Sequence, residues 1–391
     1  MARSFAELLV DARGQGPALT LEALRARLDA SEPMVLLDVR EGDEWRGGHL
    51  PGALHLPRGH LESRIEALVP DRSTPLAVYC AGGTRAALAA ATLRAMGYGS
   101  VVRVEPGFEA WAAQGWPVVV PRSLTEAQRS RYDRHLRLPE IGPTGQAALL
   151  DARVLLVGLG GLGSPVALYL AAAGVGTLGL LDDDTVQASN LQRQVIHGLG
   201  SLGRPKVDSA AEAIAGLNPD VVVTRLHTRL RANEAAGVLD GYDVIVDGSD
   251  NFPTRYLLND AAVRAGKALV HGSVARFEGQ VTTFVPGGPC YRCLFPQPPP
   301  PGLGPSCQEA GVLGVLPGVV GLLQATEVLK LLLGRGEALV GRMLLYDALS
   351  MDFRTMRYGR APGCPTCGPD PRLAPTAPDE ELCAGPLRPA S

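Results

Sequence analysis

Two cysteine pairs, Cys290-Tyr291-Arg292-Cys293 and Cys364-Pro365-Thr366-Cys367, have the short spacing that lets two thiolates grip one metal ion. Together they make a four-sulfur set suited to tetrahedral zinc, with no position left for water. Such an ion is structural, so the chemistry has to lie elsewhere. Cys80, Cys307 and Cys383 remain. Cys80-Ala81-Gly82-Gly83-Thr84-Arg85 follows an apolar stretch and opens an alanine-rich one. Glycines there let successive backbone N–H groups turn inward as an anion cup, and a helix N-terminus with Arg85 adds positive potential. That setting suits a thiolate or persulfide anion on Cys80. A buried structural cysteine at a strand end is the other reading of the same residue.

A second motif, Gly158-Leu159-Gly160-Gly161-Leu162-Gly163, lies between two apolar stretches. Its glycines permit a tight turn and close approach of phosphates to the backbone. Asp182 lies nineteen residues past Gly163, placed to bind a pair of ribose hydroxyls. Alone, this fingerprint points to an NAD-dependent oxidoreductase. The neighbouring residues oppose that: Ser189-Asn190-Leu191-Gln192-Arg193-Gln194, Gly203-Arg204-Pro205-Lys206, Asp247-Gly248-Ser249-Asp250-Asn251 and Arg131-Tyr132-Asp133-Arg134. They supply arginines, a lysine and a carboxylate able to hold magnesium. Such a set stabilises charge on a triphosphate undergoing displacement, not hydride transfer.

The elements that must position these residues follow from apolar patterning. The chain has 391 residues, enough for two or three domains. Short strands are expected at 34–39, 75–80 and 101–104, with a helix capped by Thr20 and another at 85–96 stopped by Gly97. This alternation predicts an α/β unit over residues 5–120. A charged helix at 124–137 opens a second unit that runs to 368. It has strands at 154–157, 177–181, 221–226, 244–247 and 268–271, a helix at 165–173, an antiparallel section from 281–285 and a buried helix at 319–333. Residues 154–181 carry no charge, yet their glycines and Pro165 make them strand, helix and strand rather than a membrane span. Four prolines at 298–301 predict an exposed loop, and the Pro-rich, acidic residues 369–391 a disordered tail.

Net charge is -3, from 37 basic and 40 acidic side chains. No basic patch argues for nucleic acid, and no cationic amphipathic stretch argues for a membrane. Seven cysteines, four of them in metal spacing, fit a reducing cytoplasm, and the N-terminus lacks a signal-peptide core. Cytoplasmic localisation is the expectation.

Residues around Cys80 add a resemblance. Leu37-Asp38-Val39-Arg40-Glu41, Glu44 and Gly48-His49-Leu50-Pro51-Gly52-Ala53 resemble the N-terminal signature of a rhodanese domain. Glu105-Pro106-Gly107-Phe108-Glu109-Ala110-Trp111 and Gly115-Trp116-Pro117-Val118 resemble its C-terminal one. The resemblance implies a sulfurtransferase carrying sulfur as a Cys80 persulfide, with Arg85 in the active-site loop. Related folds with a longer loop are phosphatases; the four residues between Cys80 and Arg85 favour sulfur. Asp38 and Arg40 read as a structural pair.

Residues 124–368 resemble the MoeB/ThiF family of adenylating enzymes, relatives of the ubiquitin-activating enzymes. The likeness takes in Arg131 to Arg134, the glycine turn, Leu181 to Val186, Ser189 to Gln194, Lys206, Asp250-Asn251, both cysteine pairs and Cys307-Gln308-Glu309-Ala310-Gly311-Val312. It implies a Rossmann-like doubly wound domain with zinc on Cys290, Cys293, Cys364 and Cys367. By the same likeness Gly161, Asp182, Ser189, Asn190, Arg193, Lys206, Asp250 and Asn251 bind ATP, and Asp250 holds magnesium. Arg134 would reach the phosphates of the neighbouring subunit, which implies a homodimer. Cys307 takes the position that forms a thioester in some relatives, on a loop expected to cross the active site. The two units stand here in the reverse order from the best-known fused members.

The implied function is ATP-dependent adenylation of a small ubiquitin-like sulfur carrier ending in Gly-Gly. The Cys80 persulfide, charged from thiosulfate or a cysteine desulfurase persulfide, would displace AMP. A second thiol, for which Cys307 is the candidate, would free the thiocarboxylate. Molybdenum cofactor, thiamin thiazole and thiolated tRNA are the open end products. The rival readings are a non-catalytic carrier-binding scaffold and an NAD-dependent oxidoreductase.

Overall fold

The computed structural model describes residues 3–120, 122–298 and 311–369. The chain divides into two units at Ser123 and Leu124. In the first, strands β1 (Ala18–Leu19), β2 (Val35–Asp38), β3 (Leu54–His55), β4 (Leu76–Tyr79) and β5 (Val101–Val104) form an all-parallel sheet ordered β1-β5-β4-β2-β3. Successive side chains alternate across it. Leu37, Val78 and Cys80 pack with helices Leu61–Leu68 and Thr84–Ala95. Leu36, Ala77 and Tyr79 pack with helices Leu21–Asp29 and Phe108–Ala113 on the other face. Both faces are thus covered, as a parallel sheet requires. Buried Asp38 and Arg40 form the expected pair, with Arg40 Nη2 2.7 Å from Asp38 Oδ2 and 2.6 Å from the Gly48 carbonyl. Together they tie the end of β2 to the loop before β3.

The second unit holds a mixed sheet of eight strands. These are β6 (Arg153–Val157), β7 (Thr177–Leu181), β8 (Val222–Leu226), β9 (Val244–Asp247), β10 (Ala268–Ala275), β11 (Glu278–Phe284), β12 (Arg342–Asp347) and β13 (Asp352–Arg357), ordered β13-β12-β11-β10-β9-β6-β7-β8. The run from β8 to β10 is parallel, and β10 to β13 is antiparallel. Val154 and Leu156 pack on one face with helices Gly163–Ala173, Lys206–Leu217 and Leu316–Leu333. Leu155 and Val157 pack on the other with Ala235–Asp240 and Phe252–Ala265. The chain moves outward from β6 through β7 to β8, then returns to place β9 on the other side of β6. That reversal opens a crevice at the carboxyl ends of β6 and β9, where ligands of open α/β sheets bind.

One expectation changes. The charged helix at 124–137 breaks in two, Glu126–Arg131 and Asp133–Leu136. Tyr132 causes the break: its ring is buried against Gly174 and its hydroxyl accepts from Asn218 Nδ2 at 2.8 Å. The uncharged run 154–181 is strand, helix and strand, as expected. Leu316–Leu333 is the one helix among the described residues long and apolar enough to cross a membrane, and it packs against β10, β11 and Gly163–Ala173. The proline loop from residue 299, Cys307, Cys383 and the tail from residue 370 lie outside the described residues.

Candidate functional site

The crevice between β6 and β9 is a cavity of about 330 Å³ lined by Gly158, Gly160, Gly161, Asp182, Arg193, Lys206, Asp250 and Asn251, among others. Its floor is backbone. Gly158 has φ of 93°, and a Cβ there would lie 2.7 Å from the Gly248 carbonyl oxygen. A Cβ on Gly163 would lie 1.9 Å from the Gly158 oxygen, so only glycine lets the turn enter its helix. Asp182, at the end of β7, accepts from the Leu159 N–H at 2.7 Å and the Asp184 N–H at 2.9 Å. Lys206 Nζ lies 3.9 Å from Asp182 Oδ1 and 2.7 Å from Asp184 Oδ2. Burial pushes the Asp182 carboxyl up, and Lys206 with the two N–H donors pulls it part of the way back. A basic carboxylate with free lone pairs suits two vicinal hydroxyls. Arg193 and Lys206 supply cations for phosphates, and Asp184, 67% exposed, can give up its lysine to a phosphate at little cost.

Asp250 follows β9 and is exposed on the cavity rim, with an oxygen-donor side chain of the kind magnesium takes. Asn251 lines the cavity and also caps Phe252–Ala265, its Oδ1 accepting from Thr254 N–H at 2.9 Å. The turn that carries both is built on Asp247. Its Oδ1 accepts from Ser249 Oγ at 2.6 Å and Ser249 N–H at 3.0 Å, and its Oδ2 takes His271 Nδ1 at 2.7 Å. Burial acts to push Asp247 up, but His271, Arg255 and Ser249 outweigh it, and burial holds His271 down. Ser189 and Asn190 stand outside the cavity lining, on the turn Ala188–Asn190 that leads to Arg193. Arg134 stands outside it too, 84% exposed and paired with Asp133 at 3.1 Å. Cys307 falls outside the described residues; five residues later Val312 lines the cavity.

Three contributors escaped the sequence reading. His197 is buried, Nε2 3.2 Å from the Leu159 carbonyl and Nδ1 3.0 Å from Ser209 Oγ, and so braces the glycine turn. Nothing local to His197 signals this. Arg255 lines the cavity, buried, four residues after Asn251 and hence on the same helix face. That spacing could have found it. Gln324, from the long helix, donates to the Asp247 carbonyl at 2.8 Å.

The four paired cysteines do meet. Their sulfurs lie within 4.8 Å of one another, with Cys290–Cys293 at 4.0 Å, Cys290–Cys364 at 3.5 Å and Cys293–Cys367 at 3.4 Å. A tetrahedral Zn–S shell sets sulfurs about 3.8 Å apart, so the residues fit zinc. Burial pushes the Cys290 thiol up, which a cation would reverse. The site staples the segment after β13 to the region after β11.

In the first unit the loop after β4 wraps Cys80. Its Sγ accepts from Gly83 N–H at 3.1 Å and Ala86 N–H at 3.4 Å, at the start of Thr84–Ala95. The Cys80 carbonyl accepts from Phe108 N–H at 2.8 Å, and a Cβ on Gly107 would strike that oxygen at 2.0 Å. The Gly107–Phe108 turn thus clamps the loop from behind. Arg85 makes two bonds of 2.6 Å to the Glu44 carboxylate. The Arg85 guanidinium in turn holds the Glu44 carboxyl down to about 2.

Comparison with known proteins gives each unit a family. The ThiF family model matches residues 132–366, and the rhodanese-like domain model matches residues 20–114. The sulfur carrier protein adenylyltransferase of Thermus thermophilus is 51% identical over 265 residues, 66% of this chain and 98% of that protein. The probable adenylyltransferase/sulfurtransferase MoeZ of Mycobacterium tuberculosis is 51% identical over 256 residues, 64% of this chain and 65% of that one. Among solved structures, E. coli MccB with MccA-N7isoASN superposes with a TM-score of 0.56 at 22% identity, covering 62% of this chain and 76% of that one. That last likeness is one of fold.

Proposed function

The chain belongs to the ThiF family and carries a rhodanese-like domain ahead of its ThiF unit, and from this we propose an adenylyltransferase with sulfurtransferase activity. Its substrate is the C-terminal glycine carboxylate of a ubiquitin-like sulfur carrier. The observation that carries the reading is the meeting of the glycine turn, Asp182, Arg193, Lys206 and Asp250 in one cleft at the sheet's reversal point.

The carrier carboxylate attacks the α-phosphorus of ATP, forms an acyl adenylate and releases pyrophosphate. Asp182 orients the ribose. Arg193 and Lys206, the latter released from Asp184, neutralise the developing charge on the phosphates. Magnesium on Asp250 would supply further neutralisation of that charge. Arg134, exposed and loosely held, is suited to reach the cleft of a second subunit, so the working form is a homodimer. The Cys80 persulfide then attacks the activated carbonyl and AMP leaves, giving an acyl disulfide. A thiolate, with Cys307 the candidate, takes the Cys80 sulfur into a disulfide and releases the carrier thiocarboxylate; an external thiol restores both cysteines. No general base is required, because carboxylate and persulfide enter as anions. Linking both units on one chain raises the local concentration of the sulfur donor. A reducing cytoplasm belongs to the same reading, since the cycle needs free thiols.

Carrier-dependent exchange of label between pyrophosphate and ATP tests the proposal. Exchange with a Gly-Gly-ended carrier, lost in Asp250→Ala, supports it. Carrier binding with no exchange would leave a scaffold.

A further inference from the structure

Given the sulfur-carrier role of Cys80, on which the assignment depends, we propose that Glu44 determines the donor. Held against Arg85, it sets the loop to take sulfur from a thiol persulfide, R–S–SH, in preference to dianionic thiosulfate.

Arg85 is the cation in the Cys80 loop, and a sulfur-donor anion would be expected to bind it. It is already occupied. Its Nη1 and Nη2 both reach Glu44 at 2.6 Å. The Glu44 carboxylate is not a loose surface group. Its Oε2 also accepts the Glu41 N–H at 3.0 Å, which fixes it to the start of its own helix, Gly42–Arg46. The next residue, Trp45, is buried and stacks on His49 at 3.4 Å between ring centroids, so the helix itself cannot swing away. A second carboxylate beside the loop, Glu105, packs against Gly83 and is held by Arg13 at 2.7 Å and Arg103 at 3.1 Å. Both of those arginines are therefore already engaged.

A donor approaching Cys80 thus meets a guanidinium with a fixed carboxylate bound across its Nη1 and Nη2. A dianion is attracted to one and repelled by the other at close range. At its reacting sulfurs a persulfide brings at most one charge, and any charge on R lies several bonds from the Arg85–Glu44 pair. The transfer is a displacement at sulfur: the Cys80 thiolate attacks the outer sulfur of R–S–SH, the S–S bond breaks, and R–S⁻ departs. Cys80–S–SH is formed with no net oxidation or reduction. Glu44 acts through Arg85 and is a positioning residue.

Loading of Cys80 on the full chain, read by intact mass after acid quench, gives a specificity constant for each donor. The probes are glutathione persulfide and thiosulfate. The parent chain is expected to favour the persulfide. Glu44→Gln keeps an acceptor for the Glu41 N–H and one Arg85 bond but removes the charge. It is expected to shift the ratio of specificity constants toward thiosulfate by about tenfold, through the thiosulfate KM rather than kcat. Glu44→Asp, which restores the charge, should keep the parent's order. A parent that prefers thiosulfate overturns the proposal without recourse to any variant. So does a Glu44→Gln ratio that stays at the parent's value while loading proceeds. Loading from neither donor overturns the sulfur-carrier role of Cys80 itself, and this proposal with it.

Discussion

Lys206→Met removes the cleft lysine and keeps a chain of similar length. The cost follows from its neighbours. Lys206 Nζ lies 3.9 Å from Asp182 Oδ1, and both side chains are 6% exposed. At an effective dielectric near 20, that attraction is about 4 kcal/mol. The Asp184 partner, 67% exposed, adds about 1 kcal/mol or less. Freeing the lysine from burial returns part of this, which leaves a loss of about 3 kcal/mol. In a unit of this size that lowers Tm by roughly 6–12 °C. The pH dependence has a sign. Burial already raises the Asp182 pKa above its unfolded value, so the folded state binds more protons and Asp182 costs more stability as pH rises. Without Lys206 the shift grows. The deficit is therefore largest at mildly alkaline pH and narrows at an acidic pH where Asp182 takes up a proton. Thermal unfolding of parent and variant at both pH values measures it. A deficit that stays constant with pH, or is absent, refutes the placement of Lys206 as counter-ion to a buried carboxylate.

Asp250→Ala touches an exposed rim residue, so Tm should stay within about 2 °C of the parent, while carrier-dependent pyrophosphate exchange falls on the order of 10²-fold or more; equal loss of both would mean misfolding. Arg134→Ala should likewise leave Tm unchanged and stop exchange, and mixing it with Asp250→Ala should restore activity in heterodimers that hold one intact site. Failure to complement would place Arg134 in its own subunit's cleft. Cys290→Ser should remove zinc from the purified chain, measured by elemental analysis, and lower stability by several kcal/mol; retained stoichiometric zinc would refute a four-sulfur site.

Much of the fold was legible in the chain because the parallel strands are short, apolar and bounded by charge or glycine. Val101–Val104 and Val244–Asp247 coincide with expectation to the residue. β12 and β13 went unseen because alternation is weak or missing. Every residue of β13 is exposed, and β12 buries only Met343 and Tyr346. β1 and β3 have two residues each, too few for a period. Helix Phe252–Ala265 buries eight of its fourteen residues around several faces, so no amphipathic stripe marks it. In the site, glycine spacing and single charges pointed to the cleft lining. What supports them is non-local: His197 reaches Leu159 across 38 positions, and His271 reaches Asp247 across 24. Such pairs form only once β6, β9 and β10 lie side by side. The Glu44–Arg85 pair spans 41 positions and shows the same limit.

One chain is expected both to activate a carrier's C-terminal carboxylate and to deliver the Cys80 sulfur to it. The decisive readout is the intact mass of a Gly-Gly-ended carrier after incubation with the chain, ATP, magnesium, a persulfide donor and a reducing thiol. The predicted product has one oxygen replaced by sulfur, absent without ATP and absent with Cys80→Ala. A carrier mass that never changes, or the same product from Cys80→Ala, would contradict it.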